Sequence, residues 1–352
     1  MSRFFLSRLQ ALEEYVPGEQ PRDAEYVKLN TNESPFPPSP GVLAAVNAEA
    51  AALLRLYPDP TLRPLKEALA ARYDVGAENV FAANGSDDIL NFAFLAFGAD
   101  GACFPDITYG FYPVFAALHG VDAHPVPLQA DFTVDISPYL TNRRMVVLAN
   151  PNAPTGLTLS PEQIEQIVRT NPDHVVLIDE AYVDFGAQSV CPLTKKYENL
   201  LVVQTFSKSR CLAGARLGFA IGNAALIGDL ERLRNSTNPY NINRISLAAG
   251  VAALEEDDYY TEKCRQIQTV REQTAAALRE IGFFTTDSRA NFLFARHDAI
   301  DGGALYEKLK QRGVLIRHFD LPRIAAYNRI TVGSAQQMDI FLNEVREILK
   351  GV

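Results

Sequence analysis

The sequence predicts an α/β protein: a mostly parallel central sheet covered by helices, followed by a smaller α+β domain. Three observations carry this expectation. Short apolar runs without polar alternation (NVFAANG, GACFP, RMVVLANP, HVVLIDE, LLVVQTF, LGFAIG) recur between helical stretches such as LRPLKEALAARY. Strands of that kind are buried on both faces, as in a parallel sheet between helix layers. Several of the runs end in small or polar residues (NGSDD, NPNAPTG, DEAY, TFSK), and ligands of such sheets bind beyond the carboxyl ends of the strands. After NPYNIN the texture changes to one long helical segment, then to the alternating strands NFLFAR, GVLIRHF and NRITVG and a final helix.

Residues 1–41 are rich in proline and polar residues (YVPGEQPRD, NESPFPPSP) and read as an extended arm that packs with the small domain and with a partner subunit. Residues 42–240 form the large domain and 241–352 the small one. At 352 residues and 47% hydrophobic content the chain can bury a large core. A net charge of -9 argues against a nucleic-acid partner, because a phosphate backbone repels an acidic surface. Cys103, Cys191, Cys211 and Cys264 are far apart, which excludes the usual zinc spacings and gives no sign of a disulfide framework, so no metal is expected. The N-terminal stretch carries charge throughout and no later run is long enough to span a bilayer, so no membrane partner and a cytoplasmic location are expected.

Within the strand ends, NGSDDIL opens a helix at Gly85, Ser86 and Asp87, where free backbone N–H groups make an anion site; an ordinary capped turn has the same appearance. DEAY sets Asp179 at the end of HVVLI, where a partly desolvated carboxylate favours a cation such as a protonated heterocycle, and Tyr182 can reach the same ligand as a donor. Taken by itself, DEAY reads better as an aspartate capping the next loop. Lys208 follows LLVVQTFS directly. An amine at a strand end, screened from water, loses its proton more easily and becomes a nucleophile toward a carbonyl. Arg216, with the hydroxyls of Thr205 and Ser207, can hold a phosphate on the same molecule. A ligand with a carbonyl, a basic ring nitrogen, a phenolic oxygen and a phosphate uses every one of these groups, and pyridoxal phosphate is that ligand.

The ordered set NESPF, YPDP, NGSDD, NPNAPTG, DEAY, TFSKSRCLAGARLG and NRITVG, spread over nearly the whole chain, resembles the fold-type-I aminotransferases, class II subgroup, and most closely the histidinol-phosphate aminotransferase family. The resemblance implies that Lys208 carries the cofactor covalently, that Asp179 pairs with the ring nitrogen and that Tyr182 bonds the phenolic oxygen. It implies a phosphate cup made by Gly85, the backbone at Ser86 and Asp87, Thr205, Ser207 and Arg216, with Tyr57 of YPDP reaching that phosphate in the neighbouring subunit of a homodimer. Tyr109 is expected to stack on the ring, or else to be a core tyrosine. The family often reads NPNNPTG; here the asparagine before PTG is replaced by Ala153, and its contact with the phenolic oxygen passes to Asn152, which also suits a plain turn.

For substrate, the resemblance places Arg329 of NRITVG as the clamp on the α-carboxylate. GVLIRHF offers Arg317 as a second cation for a phosphate or carboxylate at the far end, assisted by Tyr15, with His318 a neighbour only. The implied reaction is transamination between small-molecule amines and 2-oxoacids, with glutamate and 2-oxoglutarate as one pair. An aromatic-amino-acid aminotransferase and a threonine-phosphate decarboxylase share the scaffold. A non-catalytic regulator built on it carries an extra basic domain, whereas only about 40 arm residues precede the α/β region here.

Overall fold

The computed structural model describes residues 4–21 and 23–351. In chain order its strands are β1 (Val27–Lys28), β2 (Val80–Ala83), β3 (Ala102–Pro105), β4 (Ala123–Val126), β5 (Met145–Ala149), β6 (Val176–Asp179), β7 (Leu200–Thr205), β8 (Gly218–Gly222), β9 (Phe283–Thr285), β10 (Phe292–His297), β11 (Val314–Leu315), β12 (Arg317–His318) and β13 (Asn328–Thr331). The helices are α1 (Pro40–Ala45), α2 (Ala48–Ala52), α3 (Arg63–Tyr73), α4 (Ser86–Phe97), α5 (Phe111–His119), α6 (Pro161–Thr170), α7 (Ala224–Thr237), α8 (Arg244–Glu255), α9 (Asp257–Glu280), α10 (Gly302–Gln311) and α11 (Ala335–Leu349).

Seven strands form the large sheet in the order β2-β8-β7-β6-β5-β3-β4. All neighbours run parallel except β8, which is antiparallel to both β2 and β7. The six apolar runs are six of these strands. The seventh, β4, was not legible because AHPV lies at the sheet edge with only Val126 buried, so it carries no continuous apolar signal. Residues of β5, β6 and β7 are buried on both faces, and separate apolar clusters form above and below the sheet. Opposite-facing neighbours such as Val176 and Leu177 therefore enter different clusters.

A second, antiparallel sheet, β12-β13-β10-β9, packs with α9, α10 and α11 around Phe283, Leu293, Leu309 and Phe341. The arm is more integrated than its composition suggests. β1 pairs in parallel with β11, Leu29 is fully buried, and its carbonyl accepts from Thr331 N at 2.9 Å. α8, which begins just past the expected boundary at 240/241, buries Ala249, Ala252 and Ala253 in the apolar cluster that also holds Val176 and Ile178 of the seven-stranded sheet. Its NPYNIN preface marks a loop, and a loop does not by itself end a domain. Among the described residues no helix is long and apolar enough to cross a membrane.

Candidate active site

The carboxyl ends of β6 and β7, the N-terminus of α4, the arm segment 30–32 and the β12–β13 edge enclose a cavity of about 210 Å³. Asp179 closes its floor. The carboxylate is 5% exposed; Tyr112 Oη donates to its Oδ2 at 2.9 Å and Ala181 N to its Oδ1 at 3.1 Å. Burial pushes its pKa up to about 6, against the pull of those two donors. No salt-bridge partner of Asp179 is found among the described residues.

Lys208 follows β7 by three residues and reaches into the same space, where its Nζ donates to Thr31 O at 3.2 Å. Desolvation, helped by the positive charge of Arg329, lowers its pKa to about 8, so the neutral amine is accessible near physiological pH. Tyr182 stands 5.9 Å from that ammonium, ring centroid to Nζ, edge-on to Phe292. Its Oη accepts from Asn32 Nδ2 at 2.9 Å, which leaves the phenolic hydrogen free to donate into the cavity.

The anion end is built by close backbone approach. Gly85 has φ +86°, and a Cβ there meets Arg216 Nη2 at 2.6 Å. A Cβ on Gly218, at the start of β8, meets Gly85 C and Ser86 N at 2.4 Å. Only glycines let β8 and the Arg216 guanidinium lie against this turn. The helix that follows, α4, has no side-chain cap, so its first N–H groups remain available to a ligand; α6 and α11, by contrast, close theirs with capping boxes. Thr205 Oγ1 donates to Ser207 Oγ at 3.0 Å, and both line the cavity with Ser86. The Asp87 side chain accepts from Arg216 Nη2 at 2.9 Å and from Tyr109 Oη at 2.7 Å, so it aims both groups at the site.

At the mouth, Arg329 Nη2 donates to Asn30 O at 2.9 Å, while its buried Nε has no hydrogen-bond partner among the described residues. Arg317 donates to the carbonyls of Val16 and Pro17 in the arm at 2.8 and 3.1 Å. Tyr15 stacks on Phe111 with centroids 4.1 Å apart and lines the cavity with both arginines. A wider chamber of about 810 Å³ opens beyond, sharing Tyr15, Tyr109, Ala153, Arg317 and Arg329 as its threshold, with His318 in its wall.

Three of the expected site residues do not line the cavity: Gly85, whose turn shapes the anion end, Asn152 and Tyr57. Asn152 is 3% exposed and its side chain is fully engaged, donating to Ile107 O and Thr155 Oγ1 and accepting from Thr108 Oγ1, so it staples its own loop. Ala153 faces the cavity instead. Tyr57 is 75% exposed, stacked on Tyr240 at 4.6 Å, with its carbonyl held by Arg244 Nη2 at 2.6 Å, and is displayed outward. Two residues carry contacts that were not foreseen. Asn32 sits at φ 58°, a conformation asparagine tolerates better than most residues; its place as the first residue of NESPF was the one available signal. Tyr112 lies within an apolar helix and reads as core.

The groups present fit pyridoxal phosphate on structural grounds. An uncapped helix end beside two hydroxyls and an arginine suits a phosphate, and a buried carboxylate without a counter-charge suits a protonated ring nitrogen. The free phenolic hydrogen of Tyr182 suits the ring oxygen, and the Lys208 amine suits the carbonyl. Sheet and site together define a pyridoxal-phosphate-dependent transferase of fold type I. The chain matches the model of aminotransferase class I and II over residues 24–345 and belongs to that family. It is 47% identical over 353 residues to the histidinol-phosphate aminotransferase of Brachyspira hyodysenteriae, covering 99% of this chain and 100% of the relative. It is 48% identical over 351 residues to histidinol-phosphate aminotransferase 1 of Bradyrhizobium diazoefficiens, with 99% and 100% coverage. Among solved structures, the histidinol-phosphate aminotransferase of Sinorhizobium meliloti in complex with pyridoxal-5'-phosphate superposes with a TM-score of 0.89 at 25% identity, covering 100% of this chain and 99% of that one.

Proposed function

We propose that this chain transfers the amino group of histidinol phosphate to 2-oxoglutarate, as a step of histidine biosynthesis, in the cytoplasm. The observation that carries the reading is the arginine pair at the cavity mouth: Arg329, with a buried Nε lacking a hydrogen-bond partner among the described residues, and Arg317 on the neighbouring strand. The amine-bearing carbon of histidinol phosphate carries a phosphorylated hydroxymethyl group where an amino acid carries its carboxylate. A dianion at that position calls for more than one guanidinium.

Bound pyridoxal phosphate supplies the carbonyl that takes up the amine and the ring that accepts the electron pair of the α-carbon. The residues of this chain do the rest. Lys208 Nζ, neutral in part at pH 7 to 8, removes the α-proton and holds it for return. Asp179 would hold positive charge at the cofactor's ring nitrogen, and Tyr182 Oη would donate to the ring oxygen. Thr205, Ser207, Arg216 and the α4 N-terminus would anchor the cofactor's phosphate, and Tyr109 would pack against its ring.

A homodimer belongs to the same proposal. Leu43, Val46, Leu53, Leu54, Leu56 and Tyr57 are each at least 40% exposed along one segment, an apolar surface that a second copy would cover. In that dimer Tyr57 reaches the partner's phosphate end. Mixing Tyr57→Phe and Lys208→Ala subunits then regenerates one intact site per mixed dimer, and absence of any recovery counts against shared sites. Substrate choice is tested by adding amines singly to the cofactor-loaded protein and following its spectrum. Histidinol phosphate should react with kcat/KM at least about tenfold above phenylalanine or tyrosine. Equal reactivity replaces this reading with an aromatic-amino-acid aminotransferase.

A further inference from the structure

We propose that Tyr112 is a positioning residue of this enzyme, whose hydroxyl holds the Asp179 carboxylate oriented and ionised to receive a protonated ring nitrogen. The inference rests on the proposed cofactor. Its basis is where the hydroxyl has been put. Tyr112 lies on α5, fully buried, in a cluster whose other buried members are phenylalanine, aliphatic and methionine side chains, among them Phe81, Phe92, Phe94, Phe104 and Phe115. A phenylalanine satisfies that packing. The one polar atom Tyr112 adds makes its bond to Asp179 Oδ2 at 2.9 Å, and a buried hydroxyl is tolerated only when so paired.

The geometry leaves the phenol no alternative. Its ring is edge-on to Phe104 at 5.9 Å and to Tyr109 at 5.7 Å, and stacked on Phe94 at 6.4 Å. The ring therefore ties Asp179 to Tyr109, the residue that faces the ring of the proposed cofactor. With Ala181 N on Oδ1, each carboxylate oxygen takes one fixed donor and keeps lone pairs for the cavity.

The electrostatic consequence has a definite sign. Asp179 shares the cavity with Asp87 from α4, Tyr109 before α5, Tyr182 beyond β6, and Lys208 and Arg216 from the β7–β8 connection, while Glu180, just past the end of β6, is bound to Ser189, Val190 N and Gln204. Burial and the Asp87 charge push its pKa up, to about 6; the Tyr112 and Ala181 bonds pull it down. Without the Tyr112 hydroxyl the carboxyl protonates at higher pH and no longer offers a charge to the ring nitrogen at neutrality.

The test compares the dissociation constant of pyridoxal phosphate, titrated into cofactor-stripped wild type and Tyr112→Phe between pH 6 and 9 by absorbance and fluorescence. A hydrogen bond to a charged group predicts affinity lower by about tenfold to a hundredfold at pH 7. The gap narrows toward pH 9, where the variant's carboxyl is ionised again. Asp179→Asn, which removes the charge, should show a loss without this recovery. An unchanged affinity for Tyr112→Phe, or a loss equal at every pH, overturns the role, since a packing defect has no reason to follow a carboxyl titration. Should Tyr112→Phe not fold, the hydroxyl is structural and the proposal falls. Failure of the wild type itself to bind pyridoxal phosphate overturns the proposed cofactor, an outcome distinct from the others.

Discussion

Arg317 and Arg329 are register partners on β12 and β13, and both guanidinium groups lie against the ring of Phe319, at 5.3 and 5.6 Å from its centroid. Like charges directly opposite one another destabilise a sheet. Here carbonyls of Val16, Pro17 and Asn30 accept from them, and an anion between them relieves the remainder. The pair stands side by side at the mouth of the cavity, although the sequence alone suggested opposite ends of a substrate. Breaking a buried charged hydrogen bond costs about 2 to 5 kcal/mol, so Arg329→Ala should lower kcat/KM for histidinol phosphate by well over tenfold. Arg317→Ala should harm the phosphorylated amine more than an unphosphorylated aromatic amino acid. Steady-state kinetics on both substrates decides, and an equal effect on the two removes the phosphate-reading role from Arg317.

Lys208 should carry the cofactor. Its pKa, lowered to about 8 by desolvation, predicts that covalent uptake of pyridoxal phosphate by the stripped protein quickens as pH rises toward 8 and levels off above it. A lysine at its ordinary value near 10.4 keeps accelerating through pH 9 and beyond. Borohydride trapping with peptide mapping identifies the modified residue, and rapid mixing gives the rates. An adduct on another lysine ends the assignment.

Asp179 trades stability for function. Its pKa is raised from 3.8 to about 6, so between those values the folded state binds a proton that the unfolded chain has lost. Stability therefore falls as pH rises through this window and stays lower above it. Asp179→Asn should raise the melting temperature of the cofactor-free protein at pH 7, by at most about 3 kcal/mol of stability, with the gain vanishing near pH 4. The same variant should lose nearly all transamination. Calorimetry at pH 4, 5.5 and 7 separates the two effects.

Gly218→Ala should damage the phosphate end from a distance. The added Cβ meets backbone atoms of Gly85 and Ser86, which cannot swing away as a side chain can. Overpacking of this kind costs about 1 to 3 kcal/mol. Weaker binding of both pyridoxal phosphate and inorganic phosphate should accompany it. Gly214→Ala, where an added Cβ meets nothing within 4 Å, is the control and should leave both affinities unchanged.

What the sequence determined by itself is whatever local pattern encodes. The two-sided apolar runs specified the buried strands β2, β3 and β5 to β8, and the polar residues at or just past their ends, Asp179, Thr205, Ser207 and Lys208, line the cavity because a strand's end is where its chain leaves the core and meets a ligand. Tertiary structure alone decided the contacts that join distant segments. Asn32 reaches Tyr182 across 150 positions, and Tyr112 reaches Asp179 across 67. It decided that Asn152 turns inward to staple its loop while Ala153 faces the cavity, that α8 joins the apolar cluster of the seven-stranded sheet, and that Arg317 stands opposite Arg329. The physical reason is one of range. Periodicity and burial are set by neighbours along the chain, whereas the direction of a hydrogen bond depends on where two separately folded elements come to rest.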